Sequence, residues 1–115
     1  MSGRTLDIVG ASVSATCVAH CLGGSALVLL LPAAGLAGAE WLHWTFAFAA
    51  CLLVARSLST LRSAAPVGLY VAAFAGGSLV ILGATEYGGP VMSIALTIAG
   101  GLALASVHLM LWRRR

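Results

Sequence analysis

The chain contains four apolar segments, each close to the ~20 residues that an α-helix needs to cross the hydrocarbon core of a membrane. They cover residues 8–32, 41–61, 66–84 and 90–112 and use most of the 115 residues. Only 8% of the residues are charged and the mean hydropathy is +1.06, outside the usual range of soluble domains. The sequence therefore predicts an all-α integral membrane protein with a single domain spanning residues 1–115.

Short connections separate the four segments. Pro32 closes the first, the sequence AAP at 64–66 separates the second from the third, and GGP at 88–90 opens the fourth. Helices joined by such short connections lie antiparallel. We therefore expect an up-down bundle of four transmembrane helices, each satisfying its own backbone hydrogen bonds.

The basic residues predict the orientation of this bundle. All six are arginines, and they lie at the two termini and around the second connection: Arg4, Arg56, Arg62, Arg113, Arg114 and Arg115. Basic residues favour the cytoplasmic side, so we expect both termini in the cytoplasm and the protein in a bacterial inner membrane. The net charge of +3 is then a topology signal, and we expect no nucleic-acid partner.

The first segment also has features of a secretory signal peptide. Arg4 precedes an apolar run, and the sequence AGA at 37–39 fits a cleavage site. The run is much longer than the roughly 7–15 apolar residues of such signals. We expect a retained helix, since its loss would leave three spans and conflict with the arginine pattern.

Two cysteines and a histidine share one face of the first predicted helix. Cys17, His20 and Cys21 fall within an arc of about 100°. The same face carries small residues that let helices approach each other: Gly10, Ser14, Gly24 and Ser25. Cysteine in an apolar helix is often only a small hydrophobic residue. An ionisable histidine within a span favours a functional site instead.

The fourth predicted helix carries a second polar stripe that should face the bundle. It consists of Ser93, Thr97, Gly101, Ala105 and His108. Met110 lies opposite, toward lipid. Counting from the cytoplasmic edge puts His108 at a depth close to that of Cys17, as a further candidate ligand. The alternative is an interfacial histidine bonded to a backbone carbonyl.

The second predicted helix begins with Glu40 and His43 on one face, between Trp41 and Trp44 of an aromatic belt. This pair could accept a cation from outside, or it could be a solvated helix start with an acid favoured by the helix dipole. Cys51 should lie near the midplane. If helices 1, 2 and 4 are neighbours, the candidate ligands are ordered by depth from outside to cytoplasm as Glu40 and His43, then Cys51 and Cys21, then His20, Cys17 and His108.

Three motifs in this order resemble the MerC family of inner-membrane mercury-resistance proteins. They are DIVGASVSATCVAHCL at 7–22, EWLHW at 40–44 and TIAGGLALASVH at 97–108. The resemblance covers nearly the whole chain and implies four transmembrane helices and uptake of Hg²⁺, with the cysteines as ligands. Gly23 and Gly24 stand where many relatives have a proline, so the match is to the wider MerC-like group.

The candidate ligands limit which metal ions the protein could carry. Thiolates and imidazoles suit Hg²⁺, Cu⁺ or Zn²⁺ and suit Mg²⁺ or Ca²⁺ poorly. A divalent ion bound to two thiolates is neutral, which lowers the cost of placing it in a membrane. We expect transport by stepwise ligand exchange, with no resident cofactor. Four helices make a thin pathway, so we expect a homodimer or a partner protein that donates or accepts the metal.

Two other functions fit the sequence. A membrane haem or redox protein could use His20 and His108 as axial ligands. A structural or assembly subunit could use the small residues Gly68, Ala72 and Gly76 of the third helix for packing. We expect no enzymatic activity, since the three acidic residues are far apart along the chain and no serine, histidine and acid are arranged for acyl transfer.

Overall fold

The structure is a computed structural model that describes residues 2–30, 40–61 and 65–115, apart from the side chains of residues 25–30 and 40. This part of the chain forms four α-helices: α1 (Gly3–Leu30), α2 (Glu40–Leu61), α3 (Val67–Ala84) and α4 (Pro90–Arg113). Each contains an apolar stretch long enough to span a membrane. The predicted all-α class is confirmed, and the protein is a multi-pass membrane protein.

The observed helix bounds agree with the predicted ones except at the start of α1. The spans predicted at 41–61, 66–84 and 90–112 are each reproduced to within one residue. Helix α1 begins at Gly3, five residues before the predicted start at residue 8. Arg4 and Asp7 therefore belong to the helix, and Asp7 lies inside the bundle. The break predicted at Pro32 lies outside the described residues.

The helices pack in a ring in which each contacts the next along the chain and α4 contacts α1. Helices α2 and α4 also touch across the ring, whereas the described residues of α1 and α3 do not contact each other. Helices 1, 2 and 4 are thus mutual neighbours, as the predicted order of ligands assumed.

Helices α3 and α4 form the most extensive contact, and glycines let their backbones approach closely. A Cβ atom on Gly100 would lie 2.6 Å from the carbonyl oxygen of Gly76. The Ser93 hydroxyl donates a hydrogen bond to the carbonyl oxygen of Gly83 across the same interface, at 2.6 Å. The turn before α4 places Gly88 and Gly89 at φ of 78° and 87°, which glycine adopts without strain.

Helices α2 and α3 are less closely packed and leave an apolar groove of about 710 Å³ between them. Of the small residues predicted to pack α3, Gly76 is buried and Ala72 is half-buried. Gly68 is exposed, and a side chain there would meet no other atom. The packing face of α3 is therefore rotated away from Gly68.

Candidate functional site

One buried stripe runs along α1 at alternating spacings of three and four residues. It consists of Asp7, Gly10, Ser14, Cys17 and Cys21, all of which are buried. This spacing keeps side chains on one helix face. The predicted bundle-facing side of α1 is confirmed for the last four of these residues. Gly24 is half-buried, and the side chain of Ser25 lies outside the described residues.

Sulfur and imidazole side chains meet where this stripe approaches the start of α2. The Sγ atom of Cys21 lies 3.8 Å from Nε2 of His43. The rings of His20 and His43 meet edge to face, with centroids 5.6 Å apart. Cys17 lies one turn away on α1, about 6 Å along the axis. We call Cys17, His20, Cys21 and His43 the thiol–imidazole cluster.

The geometry of this cluster fits a soft metal ion in part. In a tetrahedral metal site the bond to sulfur is about 2.3 Å long and the bond to nitrogen about 2.0–2.1 Å. A sulfur and a nitrogen atom that bind the same ion therefore lie about 3.5 Å apart. The distance between Cys21 and His43 is close to this value. Among the described residues, no three His, Cys, Asp or Glu side chains are already grouped tightly enough to hold an ion. Cys21 and His43 thus form a preformed ligand pair from two different helices.

Of the other ligands predicted on α2, Cys51 is not part of this cluster. Cys51 faces α3, where a Cβ atom on Gly77 would lie 3.3 Å from its sulfur, and it lines the groove between α2 and α3. The side chain of Glu40 lies outside the described residues. None of the three cysteines, which all lie in the described part of the chain, forms a disulfide.

The predicted order of ligands by depth was wrong in two places. His20 and Cys21 lie level with His43, not below it. His108 packs against Gly10, seven residues before Cys17 and therefore about 10 Å away along α1. The prediction counted depth from a first span that began at residue 8, whereas α1 begins at Gly3, is 28 residues long and extends past the start of α2. We therefore do not include His108 in the candidate metal site.

A second group of polar side chains lies near the start of α1. The Nε atom of Arg115 donates a hydrogen bond to Oδ2 of Asp7 at 2.7 Å, and the Ser57 hydroxyl donates to Oδ1. The Arg115 Nη2 atom also donates to the carbonyl oxygen of Ser57 at 2.9 Å and to the Thr60 hydroxyl at 2.6 Å. We call Asp7, Ser57, His108 and Arg115 the Asp7 cluster.

His108 completes the Asp7 cluster without a hydrogen bond of its own. A Cβ atom on Gly10 would overlap the His108 ring, so only glycine lets the imidazole lie against α1. The Nδ1 atom is 3.7 Å from Oδ1 of Asp7, beyond hydrogen-bond distance. Both ring nitrogens and the Ser14 hydroxyl are buried without a hydrogen-bond partner in the described part of the chain. The backbone bond proposed as the alternative for His108 is not formed.

The Asp7 cluster also fixes which helix ends lie together. It joins the start of α1 to the ends of α2 and α4, so Arg4, Arg56 and residues 113–115 lie at one end of the bundle. We call this the arginine-rich end. Met110 is 53% exposed and points outward, as predicted.

Asp7 is the residue that sequence reasoning missed. It lay just outside the predicted first span, which began at residue 8. A predicted helix start one turn earlier would have placed the Asp7 carboxylate inside the span, one turn from Gly10 on the face that carries the cysteines. Ionisable residues inside a membrane span are candidates for function. Its partner Arg115 is 108 residues away, and no periodicity links the two.

The comparison with known protein families agrees with the sequence motifs. A family model described as MerC mercury resistance protein matches residues 7–113, nearly the whole chain. The match includes all the predicted ligands and most of the Asp7 cluster. No curated protein and no solved structure matches the chain significantly. The chain belongs to the MerC family of mercury resistance proteins.

Proposed function

We propose that the protein carries a soft or borderline metal ion across the bacterial inner membrane, with Hg²⁺ as the preferred cargo and Zn²⁺ or Cu⁺ as alternatives. The observation that carries this proposal is the 3.8 Å contact between Cys21 of α1 and His43 of α2. It brings a sulfur and a nitrogen ligand from different helices close to the separation that one ion requires. Membership of the MerC family supports the same cargo.

The ligands suggest the order in which the ion is held. His43 lies in the first turn of α2, on the side opposite the arginine-rich end. An ion first bound by His43 and His20 could pass to Cys21 and then to Cys17, one turn closer to the arginine-rich end. As each thiol binds it loses a proton, so a divalent ion on two thiolates is neutral. This neutrality lowers the desolvation cost inside the membrane.

The positions of the arginines suggest the direction in which the ion is transported. By the positive-inside rule the arginine-rich end faces the cytoplasm, so movement from His43 toward Cys17 is uptake. Trp41 and Trp44, 64% and 47% exposed, fit an aromatic belt at the opposite surface.

Uptake of radioactive Hg²⁺ by cells that express the protein tests this proposal. The double variant Cys17→Ser/Cys21→Ser should lose uptake while still inserting into the membrane. Cys51→Ser is the matched control, since Cys51 faces the groove between α2 and α3, and it should retain uptake. Normal uptake by the double variant would overturn the proposal, and X-ray absorption of purified protein would show whether sulfur binds the metal.

The haem alternative loses support from the structure. His20 contacts His43, whereas His108 packs against Gly10, about 15 Å away along α1. The two histidines are too far apart to ligate one iron from opposite sides. If metal analysis of the purified protein returned nothing bound at the cysteines, an assembly subunit would be the better interpretation.

A further inference from the structure

The Asp7 cluster holds two groups that can carry a positive charge beside one carboxylate. Arg115 bonds Oδ2 of Asp7, and the His108 ring lies 3.7 Å from Oδ1. Asp7 and His108 are both completely buried. The geometry points to a proton-binding site: we propose that Asp7 pairs with one cation at a time, and that a proton bound by His108 displaces Arg115.

Charge balance is the physical basis of this exchange. While His108 is uncharged, the Asp7 carboxylate and the Arg115 guanidinium form a pair with no net charge. Carboxylate and imidazolium are also neutral once Arg115 has moved to solvent. All three charged groups together would leave one uncompensated positive charge in a buried, membrane-spanning site, which is strongly unfavourable. The cluster therefore has two neutral states that differ in the position of Arg115.

No other charged group in the described residues contacts this pair. On α2 the side chains that bond Asp7 or Arg115, those of Ser57 and Thr60, are uncharged. The other described arginines of this end are exposed: Arg4, Arg56, Arg113 and Arg114. Helix α3 does not contact α1, and its Tyr70 lines the groove on the α2 side. Asp7 is thus the one carboxylate beside both His108 and Arg115 in the described part of the chain.

The structure also shows how each partner could move. Arg115 lies two residues past the end of α4 and its side chain is 15% exposed, so this side chain can turn outward without moving the helix. His108 is held in place by Gly10 and needs to close the 3.7 Å gap only to the ~2.8 Å of a charge-assisted hydrogen bond. The unbonded ring nitrogens supply the acceptor that takes the proton.

The exchange would loosen one specific contact. Arg115 links Asp7 of α1 to Ser57 and Thr60 of α2, so its departure removes the hydrogen bonds that join the end of α4 to α2. His108 would still hold α4 to α1. The contact between α2 and α4 at the arginine-rich end would thus weaken when the proton binds. This inference concerns the metal-free protein and does not depend on the proposed cargo.

Nuclear magnetic resonance of the metal-free, full-length protein in lipid nanodiscs, labelled with ¹⁵N histidine and arginine, tests the exchange. As pH falls, protonation of the His108 ring and loss of solvent protection at the Nε–H of Arg115 should share one midpoint. Protection should fall by about tenfold or more if Asp7 no longer accepts this bond. Arg115 that stays protected after His108 is protonated would overturn the proposal, as would a His108 ring that never protonates before unfolding.

Two variants separate this exchange from a general effect of charge. In Arg115→Gln, His108 becomes the only cation available to Asp7, so its titration midpoint should rise by about one pH unit or more. Arg114→Gln removes a neighbouring exposed charge and should leave the midpoint nearly unchanged. Equal shifts in both variants, or none in Arg115→Gln, would contradict the proposal even if an Asp7→Asn variant failed to fold.

Discussion

The Asp7–Arg115 ion pair and the thiol–imidazole cluster, both on the buried stripe of α1, differ in how completely the chain itself satisfies them. In the Asp7 cluster both carboxylate oxygens accept hydrogen bonds, and Arg115 joins three helices. In the thiol–imidazole cluster, about 20 Å away along α1, the contacts between helices involve sulfur and aromatic rings. Hydrogen-bonded ion pairs are complete without a ligand, whereas soft ligands gain most of their interaction energy only when a metal binds. The same stripe thus combines an ion pair that holds three helices together, which we call the anchor, with a candidate metal-binding site.

The largest expected effect is the loss of Arg115 from the anchor. Arg115→Ala leaves the buried Asp7 carboxylate uncompensated and should lower the free energy of unfolding by about 3–5 kcal/mol. The measurement is thermal unfolding in detergent at about pH 8, where an ordinary histidine is neutral. The double variant Asp7→Asn/Arg115→Ala removes the unpaired charge and should be more stable than the single variant. A double variant as unstable as the single one would show that the charge pair is not the source of the loss.

A smaller effect is expected when a methyl group is added at each end of the stripe. Gly10→Ala places a Cβ atom against the His108 ring and should cost about 1–3 kcal/mol of stability. Gly23→Ala, next to the thiol–imidazole cluster, meets no atom within 4 Å and should be neutral or slightly stabilising. Similar losses for both variants would contradict the difference in packing between the two ends.

The smallest expected effect is a change in metal affinity when either of two histidines is replaced. His43→Gln removes one of the two preformed ligands and should weaken binding of Hg²⁺ or Zn²⁺ to the purified protein by about tenfold, or 1.4 kcal/mol. His108→Gln should change this affinity by no more than about twofold, because His108 lies two turns from Cys17. Competition titration with a chelator measures both affinities. Equal weakening would mean that His108 belongs to the metal site after all.

The sequence predicted those features that depend on one helix at a time. Hydrophobic length gave the four spans, and helical spacing placed Gly10, Ser14, Cys17 and Cys21 on the buried side of α1. The same reasoning directed Met110 outward and His108 into the bundle.

What the sequence could not predict is how far one helix is shifted along another. That shift depends on close backbone contacts such as Gly76 against Gly100 and on the length of α1, and neither is visible in a residue count. An error of about two turns in this shift was enough to place His108 beside Cys17. Pairing of Asp7 with Arg115 depends on the same alignment of α1 and α4.

The pairing of Asp7 with Arg115 also has a consequence for how the protein is made. The two residues are 108 positions apart, so the ribosome adds Arg115 long after α1 has left the tunnel. Until then the Asp7 carboxylate lacks the guanidinium that it pairs with in the complete bundle. A chain that stalls before the end of α4 also lacks the link that Arg115 makes between α1 and α2. Asp7 and Arg115 thus join the first and last helices only after all four helices have been made.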